Sequence, residues 1–331
     1  MVGRSLPGTV SPYLLPSGSG RKLWLAGQLV TLIARNEDTG DALEAAIVSG
    51  GRHGAFPRHR HDRGHEVLLV LDGVLDLTLD DERYRLVRGD YASIPAGTVH
   101  GYQMRAHHTT FLMWTVHGAA TVAWNAIGDP TTAPAYPPTV TPPLDASRLP
   151  AAADLTIVAD SGTTRNGVPR ATPPAGVSPY VLEAGDGERL VAGDQVFAFL
   201  SHGGNTDATF ITLSTIGPAG DRIPEHFHER HTETFFCLDG CMTMWAHGSE
   251  LKLLPGDFLH VPPGTTHSYR LDSNYTRFVG LLSPGIFEPF FRTLCDPYDA
   301  HIFPVTPGPA RFDRVIQRLG DLDLTLVEPP R

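Results

Sequence analysis

The sequence predicts an all-β protein made of two antiparallel β-barrel domains with a few short helices. Three observations carry that expectation. The chain has 331 residues, too many for one average domain and enough for two cores. Its 34 glycines and 29 prolines favour short strands joined by turns over long helices. Above all, the chain repeats itself.

Ser11-Pro12-Tyr13 recurs as Ser178-Pro179-Tyr180, an offset of 167 residues. The same offset carries His59, His61, Glu66 and His100 onto His226, His228, Glu233 and His267. It also carries Leu71-Asp72-Gly73 onto Leu238-Asp239-Gly240, and Gly89-Asp90 onto Gly256-Asp257. Polar positions held in register without insertion mark two copies of one unit. Between them lie ten prolines from Pro130 to Pro174, including the run AYPPTVTPP, which reads as an extended, partly polyproline-like linker. The expected boundaries are 1–145 for the first domain, 146–175 for the linker and 176–331 for the second domain. Within the linker, Leu155-Thr156-Ile157-Val158 has the composition of a short strand that could pack against a barrel.

Each copy contains short alternating runs bounded by turn residues. Val74-Leu75-Asp76-Leu77-Thr78-Leu79 alternates cleanly between Gly73 and the Asp80-Asp81 turn. Gly89-Asp90 and Pro95-Ala96-Gly97 punctuate the next strand, as Gly256-Asp257 and Pro262-Pro263-Gly264 do in the second copy. Helices are expected only at 285–294 and 312–319.

A formal net charge of -10 argues against nucleic acid or an anionic membrane surface as the main partner, since both need a basic face. Cys237, Cys241 and Cys295 make no disulfide framework and no CxxC, which suits a reducing compartment. With no apolar signal segment and no stretch approaching a membrane span, a cytoplasmic protein is expected.

The chemistry lies in the repeated polar set. On a strand, alternate residues face the same way, so His59 and His61 point inward together while Arg58 and Arg60 point outward. Glu66 follows a short turn, and His100 follows the Pro95-Ala96-Gly97 corner. Three imidazoles and one carboxylate leave coordination positions open, the pattern of a catalytic divalent metal site. His226, His228, Glu233 and His267 repeat it. The other histidines are expected to be bystanders: His53, His65, His107, His108, His202, His231, His247 and His301 in loops, with His117 and His260 near strands in structural roles.

HxH, four residues, Glu, six residues and Gly, followed by GDxxxxPxGxxH, resembles both signature motifs of the cupin superfamily, complete in each half. The chain thus looks like a bicupin, which implies two jelly-roll barrels. HTETFFCLDGCMTMW, GDFLHVPPGTTHSYRLDSNYT, PGIFEPFFRTLCDPYDAHIFP and RFDRVIQ are similar to bacterial bicupin quercetin 2,3-dioxygenases, of the flavonol 2,4-dioxygenase type. SGGRHGAFPRHRH and LVLDGVLDLTLDDERY carry the likeness into the first half. The resemblance implies cleavage of the heterocyclic ring of flavonols by dioxygen, with release of carbon monoxide and a depside. It implies one divalent transition metal per domain (iron, manganese, cobalt, nickel or copper) on the two sets of four ligands. Glu66 and Glu233 would be catalytic, taking the proton of the flavonol 3-hydroxyl. No nicotinamide or flavin is expected, and the chain has no GxGxxG fingerprint.

A planar polyphenol needs a wide apolar pocket. Strand parity points Tyr102 and Met104 inward with His100, Tyr269 with His267, Leu68 with Glu66, and Phe235 with Glu233, so these are the expected substrate contacts. The expected partners are a flavonol or related phenolic and dioxygen, with a homodimer left open. Other readings are another enolic or phenolic substrate, an oxalate decarboxylase-like activity, which would need an inward arginine, or a non-catalytic binding bicupin.

Overall fold

The run Val74–Leu79 is a strand whose Leu75, Leu77 and Leu79 are all buried, as a two-residue period requires. It forms a hairpin with Glu82–Val87 across the Asp80-Asp81 turn. The same rule builds nearly everything else in the chain. The computed structural model describes residues 2–138, 144–159, 162 and 164–327. The polyproline-like reading of 139–143 lies outside them.

The chain forms two compact units: Ser19–Gly185, and Asp186–Arg331 together with Met1–Gly18. Ser19–Gly185 is the first unit and the other is the second. Their bounds differ from the expected 145 and 176, because the leading segment and the linker are each drawn into a sheet. Among the described residues the strands of neither unit close into a barrel. Each instead has two sheets, a more open form of the jelly roll.

In the first unit, one sheet orders Asp129–Thr131, Arg21–Leu25, Gln28–Ala34, Glu44–Gly50, Thr109–Val116, His65–Asp72, Tyr91–Ile94 and Tyr180–Leu182. The other orders Thr156–Ile157, Ala55–Arg60, His100–Met104, Val74–Leu79, Glu82–Val87 and Arg165–Asn166. Both sheets feed one apolar core, with Val30, Val48 and Leu68 from one and Phe56, Leu77 and Met104 from the other.

The second unit repeats the plan. An eight-stranded sheet has Thr232–Asp239 and Thr276–Ser283 in its interior, and a five-stranded sheet holds His267–Leu271, His226–Phe227 and Thr325–Leu326.

The edge strands are exchanged between the two repeats. Tyr13–Leu15 pairs with Phe258–Val261 in the second unit, and Tyr180–Leu182 pairs with Tyr91–Ile94 in the first. Two aspartates of the Gly-Asp turns clasp these strands. Asp257 Oδ1 accepts the N–H of Ser17 at 2.8 Å, and Asp90 Oδ1 accepts that of Ala184 at 2.9 Å.

The expected C-terminal helices are present, as the 3-10 turn Gly285–Phe287 running into Glu288–Leu294, and as Phe312–Gln317. A further helix, Ala120–Ile127, was not read from sequence. Its first N–H groups, those of Ala120 and Thr121, donate to the buried Glu44 carboxylate at 2.8 Å each. Among the described residues, no helix is long and apolar enough to cross a membrane.

Candidate metal centres

Backbone pairing and a glycine corner bring each ligand set together. His59 and His100 are direct cross-strand partners, and so are His226 and His267. The corner before His100 turns through Gly97 at φ 86°, and its N–H donates to the His61 carbonyl at 2.7 Å. Gly264, at φ 77°, does the same to His228 at 2.6 Å. Any side chain would strain these left-handed positions, and the corner ties the strand end holding one ligand to the strand carrying another. Glu66 and Glu233 come from the opposite sheet, on His65–Asp72 and Thr232–Asp239.

All six histidines are oriented alike. Each Nδ1 meets a backbone carbonyl: His59 that of Pro57 (2.9 Å), His100 that of Thr98 (3.0 Å), and His61 that of Asp154. In the second unit His226 meets Pro224 (2.9 Å), His267 meets Thr265 (2.9 Å), and His228 meets Asp323 (2.6 Å). A carbonyl only accepts, so Nδ1 carries the hydrogen and each neutral ring presents a bare Nε2 lone pair.

Those lone pairs face carboxylate oxygens. Glu66 Oε2 lies 3.1 Å from His61 Nε2 and 3.3 Å from His100 Nε2. Glu233 lies 3.0 Å from His267 Nε2 and 3.4 Å from His228 Nε2, and the buried His228 Nε2 has no hydrogen-bond partner. A carboxylate and three Nε2 atoms crowded together need positive charge among them, supplied by protons on the imidazoles or by a bound cation. Ligand atoms around an ion held at about 2.1 Å stand roughly 3 to 3.4 Å apart, so the donor set fits a divalent metal. The ligand atoms of His59, His61, Glu66 and His100 all lie within 4.8 Å of one another, and so do those of His226, His228 and His267.

Electrostatics agree. Burial would raise the Glu66 carboxyl, but His100 and His61 overcome it and hold the group well below the carboxylate range. Glu233 is likewise held low, burial being outweighed chiefly by His228. Burial, then His267 and His228, pushes His226 down to about 3, which keeps its ring neutral and able to ligate.

The second centre has an additional member. His231, expected in a loop, is fully buried and directs Nε2 at Glu233 Oε1 from 3.4 Å, while its Nδ1 meets Asp323 Oδ2 at 2.7 Å. It also stacks on Phe287, with ring centroids 4.6 Å apart. In the first repeat the matching position is Gly64. His65 was also assigned to a loop, yet it opens a strand and is buried against the Ser93 hydroxyl at 2.8 Å.

Asp154 and Asp323 were missed as well. A signal for them was present: Asp154-Leu155-Thr156-Ile157 recurs as Asp323-Leu324-Thr325-Leu326, slipped to an offset of 169 and hence outside the register of the main repeat.

The expected substrate contacts separate by unit. Next to the second centre opens a cavity of about 530 Å³, lined by His226, Glu233 and His267 and by Phe235, Tyr269 and Phe278. Phe287, Phe290 and Phe291 form a wall, with Phe287 and Phe290 stacked at 4.5 Å and 10°. Next to the first centre the space is about 20 Å³, bounded by Phe56, Tyr102, Met113, Trp124 and Leu155. That is room for about one water molecule. Leu68 and Met104 do not line it, being packed in the first unit's core. Strand parity gave their inward direction correctly, but inward here means into packed side chains.

Two jelly-roll units, each with buried histidines and a glutamate that could hold a metal ion (Glu66 grouped with His59, His61 and His100, and Glu233 grouped with His228 and His231 beside the set His226, His228 and His267), define a bicupin, and the cupin domain model matches residues 48–116 and 212–279. Quercetin 2,3-dioxygenase of Bacillus subtilis is 48% identical over 333 residues, covering 98% of each chain. The chain belongs to the quercetin 2,3-dioxygenase family. The enzyme of that name from Aspergillus japonicus is 32% identical over 129 residues, 37% of each chain. Among solved structures, salicylate 1,2-dioxygenase from Pseudaminobacter salicylatoxidans shares the fold at a TM-score of 0.58 and 13% identity, covering 85% of this chain and 86% of its own.

Proposed function

We propose that this protein is a dioxygenase that cleaves the heterocyclic ring of flavonols such as quercetin with dioxygen, releasing carbon monoxide and a depside, and that the second unit carries the reaction. The observation behind the assignment to that unit is the cavity of about 530 Å³ at His226, Glu233 and His267, within the usual range for small-molecule sites. The space of about 20 Å³ at the first centre admits no flavonol.

The chain's own groups divide the work. Phe235, Phe278 and the Phe287–Phe290 stack clasp a planar aromatic body and exclude water from it. His226, His228, Glu233 and His267 would hold a divalent ion that supplies Lewis acidity toward a substrate hydroxyl oxygen. Glu233 accepts the proton of the flavonol 3-hydroxyl, and the His231 ring, when it carries hydrogen on both nitrogens, donates to Asp323 and to Glu233 Oε1 and so fixes the carboxylate. The Tyr269 hydroxyl donates to Gln195 Oε1 at 2.7 Å, and burial, then Glu233, raises its pKa, so it stays a neutral polar edge of the cavity.

The composition of the lining weighs against a small dianion such as oxalate. Arg222 is the one Lys or Arg side chain among the described lining residues, and it is already engaged by Ser268 at 2.9 Å and by the Trp245 face at 4.2 Å.

The test is metal-loaded protein incubated with quercetin under oxygen, with carbon monoxide and flavonol absorbance followed together. Loss of absorbance with stoichiometric carbon monoxide is expected. Loaded protein that consumes no flavonol would overturn the proposal.

A further inference from the structure

Four of the six histidines are oriented by their own local chain, through the carbonyl two residues earlier. The other two are not. His61 depends on the carbonyl of Asp154, 93 positions away, and His228 on that of Asp323, 95 positions away.

These aspartates sit on matching segments. Thr156–Ile157 lies antiparallel on the strand of His59, pairing Ile157 with His59, and the Val158 N–H donates to the Arg58 carbonyl at 2.8 Å. Thr325–Leu326 lies on the strand of His226, pairing Leu326 with His226, and the Val327 N–H donates to the Glu225 carbonyl at 2.9 Å.

The carboxylates act on the turn between the second histidine and the glutamate. Asp154 accepts the N–H groups of Asp62 (3.0 Å), Arg63 (3.1 Å) and Gly64 (2.7 Å). Asp323 accepts those of Glu229 (3.1 Å), Arg230 (3.1 Å) and His231 (3.2 Å). The adjoining Leu155 and Leu324 each line the cavity of their own unit.

We propose that the Asp-Leu-Thr segments are straps that set metal retention, with Asp154 the positioning residue of the first centre and Asp323 that of the second. One residue fixes both ends of the ligand turn: its carbonyl aims the second histidine and its carboxylate pins the backbone leading to the glutamate. Partners of this kind, lying behind the ligands, typically change metal affinity 10- to 100-fold when lost. The inference rests on the metal reading of the two clusters and not on the identity of the substrate.

The test uses full-length protein in two single-centre backgrounds, His59→Ala to leave the second centre and His226→Ala to leave the first. Cobalt(II) is titrated in each, with its d–d absorption and its rate of transfer to a chelator recorded. In the His59→Ala background, Asp323→Ala should weaken cobalt binding at least tenfold, speed its release and shift the d–d bands, while Asp154→Ala leaves all three unchanged. In the His226→Ala background the two variants should exchange effects. Asp323→Asn, which keeps one acceptor oxygen for the turn, should fall between wild type and Asp323→Ala, and it carries the test if the alanine variant does not fold. Unchanged affinity and spectra in Asp323→Asn and Asp154→Ala, or equal losses at both centres, would overturn the strap. Two backgrounds that take up no cobalt at all would overturn the metal reading beneath it.

Discussion

His231 stands with its Nε2 3.4 Å from Glu233 Oε1, held from behind by Asp323 at 2.7 Å, at a position that is Gly64 in the first repeat. A fixed carboxylate is a better proton acceptor than a rotating one, because its geometry costs no reorganisation at the moment of transfer. Replacing His231 with glycine, so that the second centre copies the first, should lower kcat for quercetin about tenfold with little change in KM. Steady-state kinetics at matched metal content check this. An unaltered kcat would mean that Glu233 is oriented without its neighbour.

Glu233→Gln and Glu66→Gln should diverge. Both remove a proton acceptor, but only Glu233 opens onto a cavity of flavonol size. Glu233→Gln should lose at least a hundredfold in kcat, and Glu66→Gln should stay within about twofold of wild type, measured as carbon monoxide release per metal-loaded chain. The opposite ranking would move the reaction to the first unit.

The 3-hydroxyl should be indispensable. A flavone without it keeps the planar apolar body that the Phe287–Phe290 stack receives, but it offers Glu233 no proton to take. Flavonol consumption with only weak inhibition by the matching flavone is expected in oxygen-uptake assays. Equal uptake with both compounds would contradict a proton-transfer role.

Phe290→Ala should raise the KM for quercetin about five- to tenfold, in line with roughly 1 kcal/mol for one aromatic contact, while kcat changes less. Phe290 is only partly buried, so its truncation leaves the apolar cluster beneath it in place. Competition by flavonols of different distal-ring substitution gives a second measure of the same wall.

Chelation should lower the melting temperature. Within each unit the glutamate lies on one sheet and two of the histidines (His59 and His100, or His226 and His267) lie on the other, so a bound ion clamps the two together. Binding at a hundredfold excess over Kd is worth about 2.7 kcal/mol, or roughly 5 to 10 °C for a domain of this size. Calorimetry of metal-free and metal-loaded protein measures the shift, and a difference below about 1 °C would deny the clamp.

The clustering of these histidines and glutamates was legible because it needs three things that a sequence displays: residue type, strand parity and a glycine-proline corner. The fold followed from the same repeat. What parity could not supply was volume. Tyr102 and Tyr269 occupy equivalent positions and both turn inward, yet one borders a space for about one water and the other a cavity of flavonol size. The difference arises from residues remote in sequence, Trp124 and Leu155 in the first unit against the Phe287, Phe290 and Phe291 wall in the second. His231 hid for another reason: its partner Asp323 lies 92 positions away, and nothing local distinguishes a buried relay histidine from a loop one.

Because Tyr13–Leu15 and Tyr180–Leu182 each complete the sheet of the other repeat, neither half of the gene encodes a whole fold. As the chain leaves the ribosome, the first sheet must wait for residue 182 to cover its edge. The strand at residue 13 must wait longer still, since His260 meets the Ser11 carbonyl across 249 positions. A chain divided between the repeats would release two pieces, each with a bare edge strand and a spare one that fits the other piece. Co-expressed halves are thus expected to find one another and reconstitute the exchange, whereas either half alone should aggregate through its open edge.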